Sequence, residues 1–189
     1  MLGRPAGLDE ALMRERILVV GRLDHDAATD LSARLVLLDR DDGVAPVHLH
    51  VNCDSGSADA ALSLYDTTRF VTAPVHTLCA GAAGTAAIIL VASGAPGHRT
   101  ALPHARFILR RPTGDLDTAE LDAEAALAEA ARLREAVTTV IARHTGRDPE
   151  EVAGTLRKGA MLTARQAADW GLIDEVIDQP PKGWRGIVG

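Results

Sequence analysis

Aromatic residues are what this chain has least of: Phe, Trp and Tyr together make up 3% of its 189 residues. Its core must therefore be built from Ala, Val, Leu and Ile, which argues against a platform for stacking nucleic-acid bases. Positive charge is short as well. A formal net charge of −6 argues against a surface that neutralises phosphates. There are two cysteines, Cys53 and Cys79. Both sit in apolar, strand-like stretches and read as buried free thiols in a reducing compartment. No Cys or His pair has zinc-site spacing, so neither a metal nor another cofactor is expected. The longest apolar stretch, residues 80–92, is well short of a membrane span. Met1 to Glu10 carries charge and no apolar run, so no signal peptide is expected. These absences describe a cytoplasmic protein with no nucleic-acid or membrane partner.

What is present fits one α/β domain over residues 1–178, with 179–189, rich in Pro and Gly, as a loose tail. Strand-like and helical segments alternate. Strands are expected at Ile17–Val20, Val47–Val51, Val75–Cys79, Thr100–Leu102, Phe107–Leu109 and Gly171–Ile177. Helices are expected at Asp26–Asp39, Asp59–Phe70, Ala83–Ser93 and Pro149–Leu156. In the first helix Asp26 serves as N-cap, and Ala27, Leu31, Leu35 and Leu38 share a face. Thr163 caps a further helix that begins at Ala164. In the second strand, alternation places His48 and His50 on one face and Val47, Leu49 and Val51 on the other.

An Ala-rich helix is expected from Thr118 to His144, closed by Gly146. At ~1.5 Å per residue it spans about 40 Å, the width of a small domain. Its apolar residues, including Leu121, Leu127, Leu133, Val137 and Ile141, exceed what a short body can cover. A second subunit is the expected cover.

The segment Cys79-Ala80-Gly81-Ala82-Ala83-Gly84-Thr85 is expected to turn from an apolar strand into an apolar helix. That turn would aim backbone N–H groups outward and place Thr85 at the positive end of the helix. Other marks accompany it in order: Arg16-Ile17-Leu18, Leu64-Tyr65-Asp66-Thr67, Leu102-Pro103, His144-Thr145-Gly146 and Gly171-Leu172-Ile173-Asp174-Glu175-Val176. From Leu12 to Ile177 the chain resembles the proteolytic subunit of the Clp protease. The resemblance implies the Clp/crotonase-like fold of stacked ββα units with a long protruding handle helix. It also implies a Ser-His-Asp triad and two heptameric rings interlocked into a tetradecameric barrel.

Carried over residue by residue, the family's serine falls on Thr85 and its histidine, 25 residues on, falls on Arg110. Its aspartate, 49 residues further, falls on Gly159. Arginine cannot accept a proton near neutral pH, and glycine has no carboxylate to orient a base. Threonine nucleophiles that work elsewhere use their own N-terminal amine, which an internal residue lacks. Without a triad, ~10³–10⁴-fold catalysis over water is the usual residue, and it depends on the oxyanion hole.

The matching oxyanion positions are Ser55 and Gly56, with Ala86 following the nucleophile position. The family's Asn-Ser-Pro-Gly-Gly here reads Asn52-Cys53-Asp54-Ser55-Gly56, which puts an acid beside a developing oxyanion. The apolar pocket that receives an AAA+ unfoldase in the family maps to His48, His50 and Phe70. The two histidines replace Tyr-x-Tyr, which counts against docking, as does the short stretch ahead of the first helix, where the family has an axial loop. The family's Gly-rich strand is here Thr113-Gly114-Asp115-Leu116-Asp117.

Several residues carry two readings. Arg110 and Arg111 either pair with Asp115 and Asp117 or bind an anion. His48 and His50 are either half-exposed strand residues or a ligand or pH-sensing pair. Cys53 could replace the nucleophile, and His104 or His76 could supply a base. The expected function is that of an inactive homologue forming or joining a Clp ring, as a homo-oligomer or with active paralogues. A divergent Clp endopeptidase and a crotonase-like acyl-CoA binder are the alternatives.

Overall fold

Residues 7–114 and 122–179 are described by the computed structural model of the protein. In chain order they form α1 (Leu8–Arg14), β1 (Ile17–Val20), α2 (His25–Asp41), β2 (Val47–Cys53) and α3 (Ala58–Phe70). Next come β3 (Val75–Gly84), α4 (Thr85–Ala92), β4 (Arg99–Ala101) and β5 (Arg106–Leu109). The remainder is α5 (Ala123–Thr145), α6 (Pro149–Lys158), β6 (Ala160–Thr163), α7 (Ala164–Asp169) and β7 (Glu175–Val176).

β3 organises the sheet. Five strands follow the order β1-β2-β3-β4-β7, all parallel. The first half of β3 pairs with β4 through Thr77–Cys79, and the second half pairs with β5 through Ala82–Gly84. β5 in turn carries β6 antiparallel, with Leu109 opposite Ala160. The sequence reading ended this strand at Cys79 and placed a turn over the small residues. Instead the strand runs straight through them, and the helix begins at Thr85. Small side chains are needed there because β2 comes close. A Cβ on Gly81 (φ 144°) would lie 2.3 Å from Asn52 Oδ1, and that oxygen accepts the Ala82 N–H at 3.0 Å.

Sheet alternation sorts the side chains as expected: Val47, Leu49, Val51 and Cys53 are buried, while His48 and His50 are half-buried. Helix starts are fastened by side-chain caps, each stabilising by ~1 kcal/mol. Ser57, Asp122 and Asp148 cap α3, α5 and α6, and Thr163 forms a capping box with Gln166 on α7. The cap of α2 is Asp24, which accepts the Ala27 N–H at 2.9 Å. Asp26 therefore lies inside the first turn, and the buried face carries Ala28 rather than Ala27 with Leu31, Leu35 and Leu38. Every residue of α4 is buried, and it packs against α3, α5 and β3. This explains its lack of any polar stripe.

Two further expectations are corrected, and one strand is added. The long helix begins at Ala123 rather than Thr118, because Asp122 is extended (φ −66°, ψ 162°) and caps it, and its 23 residues span about 35 Å. Leu121 and the expected start at Thr118 lie outside the described residues. The closing strand shrinks to Glu175–Val176, because Gly171 (φ 85°) holds a turn at the end of α7. β6 was not anticipated, since its four residues offer too short a pattern to read. Apart from Gln179, the expected tail of 179–189 also lies outside the described residues. No helix among them is long and apolar enough to cross a membrane.

Candidate functional site

Thr85 directly follows β3, Arg110 directly follows β5, and Gly159 directly precedes β6. Because β3 pairs with β5 and β5 with β6, the sheet brings these three positions to one end of adjoining strands. Spacing along the chain alone, 25 and then 49 residues, had linked them only through the resemblance.

Thr85 is 4% exposed. Its hydroxyl donates to the Arg110 carbonyl at 2.8 Å and accepts the Arg110 N–H at 2.9 Å, with the Ile108 carbonyl as a further acceptor at 3.3 Å. Both hydrogen-bonding capacities of the hydroxyl are thus engaged by backbone, and among the described residues no imidazole or carboxylate is its partner. The Arg110 side chain reaches the other way and donates to the Asp54 carbonyl at 3.3 Å. A guanidinium, permanently charged at working pH, so lies over the candidate oxyanion loop. The pairing weighed for Arg110 with Asp115 and Asp117 concerns acids outside the described residues.

Gly159 adopts φ 78°, ψ 136°, a conformation that L side chains rarely take. Space is not what excludes a side chain: a Cβ would meet only the Leu109 carbonyl, at 3.9 Å. The backbone itself is set for glycine.

The loop Asp54-Ser55-Gly56 is fixed from two sides. Gly56 (φ 144°) would place a Cβ 2.8 Å from the Leu23 carbonyl, which accepts the Ser57 N–H at 2.8 Å. A Cβ on Gly84 would lie 2.2 Å from the Asp54 carbonyl, so β3 and this loop are in backbone contact. Ala86, the second residue of α4, is buried, and its N–H belongs to the helix turn that has no intrahelical acceptor. A cleft of about 330 Å³ opens beside the loop, lined by Arg22, Asn52, Cys53, Ser55, Gly56 and Ala82 among others. Its lining includes neither Thr85, Arg110 nor Gly159.

The substitute groups fare as follows. Cys53 lies against this cleft, but its thiol donates to the Ser55 carbonyl at 2.7 Å, and burial pushes its pKa up. The neutral thiol is a poor nucleophile. Burial pushes Cys79 further, to about 12. His76 sits at the far end of β3, about 30 Å from Thr85 at ~3.3 Å per residue, out of reach as a base. His104 is exposed in the β4–β5 connection and is not a partner of the Thr85 hydroxyl.

At the expected docking positions, Phe70 ends α3 with 82% of its surface exposed, while His48 and His50 are half-buried on β2. Burial holds both imidazoles below the ordinary histidine pKa. Among the described residues, no group of three or more His, Cys, Asp or Glu is arranged to hold a metal ion. Two features escaped the sequence reading. Asn52, given no role of its own in the sequence, ties β2 to β3 through the Ala82 N–H. His98 joins His48 and His76 in a line across the sheet, a juxtaposition only the strand register reveals.

The sequence model of the Clp protease family matches residues 6–180. The chain is 36% identical over 170 residues to the ATP-dependent Clp protease proteolytic subunit 3 of Nocardia farcinica (strain IFM 10152), covering 88% of this chain and 77% of that one. It is 38% identical over 169 residues to a putative ATP-dependent Clp protease proteolytic subunit-like protein of Streptomyces coelicolor (strain ATCC BAA-471 / A3(2) / M145), covering 88% and 80%. It is also 36% identical over 169 residues to proteolytic subunit 1 of Corynebacterium efficiens (strain DSM 44549 / YS-314 / AJ 12310 / JCM 11189 / NBRC 100395), covering 88% and 81%. With a mostly parallel α/β sheet and these relatives spanning nearly all of it, the chain belongs to the Clp protease family.

Proposed function

We propose that this chain is a catalytically inactive member of the family. In this reading it forms or joins a heptameric ring or double-ring barrel, and there it shapes assembly or regulation rather than cutting peptide bonds. One observation carries the inactivity: the Thr85 hydroxyl is bonded in both directions to the backbone of Arg110. A hydroxyl attacks only when a base takes its proton. Arg110 occupies the base position with a group that cannot accept one, and Gly159 has nothing with which to orient a base. The described part of α5 supports the assembly reading, because none of its residues from Ala123 to Arg132 is buried within the chain. Two buried free cysteines fit a reducing, cytoplasmic compartment.

The decisive experiment combines a fluorogenic peptidase assay with native mass measurement, on the protein alone and co-expressed with an active family member. The expected result is an oligomer, no hydrolysis by the protein alone, and no labelling by a serine-directed phosphonate. Labelling that disappears in Thr85→Ala would instead support a divergent peptidase. Thermal stabilisation by an acyl-CoA would support the crotonase-like alternative.

A further inference from the structure

Three imidazoles form a ladder across the sheet at the end of β3 remote from Thr85. His48 and His76 are direct partners in the β2–β3 register, and their rings meet edge to face with centroids 5.3 Å apart. His98 immediately precedes β4. Its carbonyl accepts the Thr77 N–H at 3.0 Å, and its ring stacks on His76 at 3.8 Å with an interplanar angle of 2°. Parallel rings direct their lone pairs side by side rather than toward one point, so the arrangement does not suit a metal ion. It suits neutral rings, which attract by stacking and repel once two of them are charged.

We propose that the His48–His76–His98 ladder is an acid-sensitive latch on the seam between β3 and β4, closed when the rings are neutral and loosened when they protonate. The seam is short, three residue pairs from Thr77↔Arg99 to Cys79↔Ala101, and β7 hangs on β4 by only two. Ring stacking adds to the hydrogen bonds that hold it, among them the Leu102 N–H to the Cys79 carbonyl at 3.0 Å and the Thr100 hydroxyl to the Thr77 carbonyl at 2.9 Å.

The charged surroundings favour such a response. From the β1 side comes Arg16, a permanent cation whose charge bears on His48. From β2 come His48 itself and His50, whose own titration is coupled to His48. On the β4 side the neighbouring carboxylate is Asp174, and it is committed to Arg99, which it meets at 2.5 and 3.1 Å. Glu175 on β7 pairs with Thr100, two residues beyond His98. Burial, followed by the charges of His98 and His48, holds His76 down at about 4. A proton thus enters the His76 ring of the closed ladder only well below the pH at which a free histidine takes one.

The latch is independent of whether the chain cuts peptides or joins a ring. Its test is amide hydrogen exchange of the Thr77 N–H by NMR, corrected for intrinsic rates, on the full chain at pH 7 and pH 5. If His76 returns to an ordinary pKa on opening, linkage gives an upper bound of ~20-fold more opening at pH 5 than at pH 7, and about tenfold after allowance for solvent. His76→Phe keeps a ring that cannot protonate, and its protection should be the same at both pH values within about threefold. His98→Gln, which removes a ring at an exposed position, should lower protection at pH 7 and flatten the response. Equal protection of the wild-type amide at pH 7 and pH 5 would overturn the proposal. So would an undiminished acid response in both variants.

Discussion

The hydroxyl of Thr85 and the main chain of Arg110 hold one another, with the O–H on the carbonyl at 2.8 Å and the N–H on the hydroxyl at 2.9 Å. Through this exchange the first residue of α4 anchors the chain as it leaves β5. Thr85 then has a structural job that a nucleophile could not keep. Thr85→Val retains the shape and leaves an N–H and a carbonyl without that partner, so it should destabilise by ~1–3 kcal/mol. Thr85→Ser keeps the hydroxyl and should cost under ~1 kcal/mol. Urea denaturation of both variants checks this, and equal midpoints for Val and wild type would contradict it.

At Gly159 the obstacle to restoring a catalytic carboxylate is the backbone, since φ 78° and ψ 136° strain any L residue. Gly159→Asp should cost ~1–3 kcal/mol, and Gly159→Ala about as much, because the strain lies in the main chain. If alanine were tolerated while aspartate was not, charge or size would be the cause instead. The triple change Thr85→Ser, Arg110→His and Gly159→Asp should accordingly stay far less active than a peptidase of this family in the same fluorogenic assay.

These two sites show what could and could not be read in the sequence. The alternating Val47–Val51 pattern, the 3.6-residue rhythm of Leu31, Leu35 and Leu38, and the Thr163 cap are local signals, and all three hold in the fold. The passage of β3 through Gly81–Gly84 was misread because small residues usually mark turns. What decided it was a non-local contact, Asn52 lying where a side chain on Gly81 would have gone. The exchange between Thr85 and Arg110 was illegible for a similar reason, because hydrogen bonds to backbone leave no trace in residue type. Conversely, Thr85, Arg110 and Gly159 were singled out together only by family resemblance.

His144 gives a pH dependence of defined sign. Its Nε2 lies 3.1 Å from the Tyr65 hydroxyl. Burial, followed by the charges of Arg69, Arg99 and Arg143, lowers its pKa to about 4. The unfolded chain, titrating near 6.5, therefore binds the proton first as pH falls. Stability contributed by neutral His144 is complete above about pH 6.5, is lost between there and about 4, and changes no further below. Chemical denaturation across that range should show a falling stability that His144→Gln makes shallower. The remaining slope belongs in part to His76, which local exchange at Thr77 separates from the global measurement. An unchanged slope in His144→Gln would remove this assignment.

Arg99 clamps the closing segment of the domain. Its guanidinium meets both carboxylate oxygens of Asp174 and also donates to the carbonyls of His144 and Gly171, each at 2.9 Å. The two charged side chains are 14% and 23% exposed, so removing one leaves the other largely desolvated. Arg99→Ala should cost ~3–5 kcal/mol. Arg99→Lys should recover little of it, because a single ammonium cannot reproduce a planar fork that meets three separate groups. Thermal unfolding of the pair checks this, and near wild-type stability in the lysine variant would show that charge alone suffices.

The last expectation concerns the first part of α5, from Ala123 to Arg132, none of which is buried. In α5 the buried residues begin at Leu133, whereas Leu127, six residues earlier, is 68% exposed. A leucine left in water on a helix this long gains by being covered, by ~1.5–3 kcal/mol if burial is complete. Among the described residues nothing buries it. If a second subunit does, Leu127→Glu should lower the assembly mass measured by native mass spectrometry or light scattering. The unfolding temperature of the dissociated chain should stay close to that of an equally dilute wild type, since the residue makes no buried contact within one chain. A Leu127→Glu protein of unchanged mass would show that this part of α5 lies outside the contact, and would move the search for the interface to the exposed residues elsewhere.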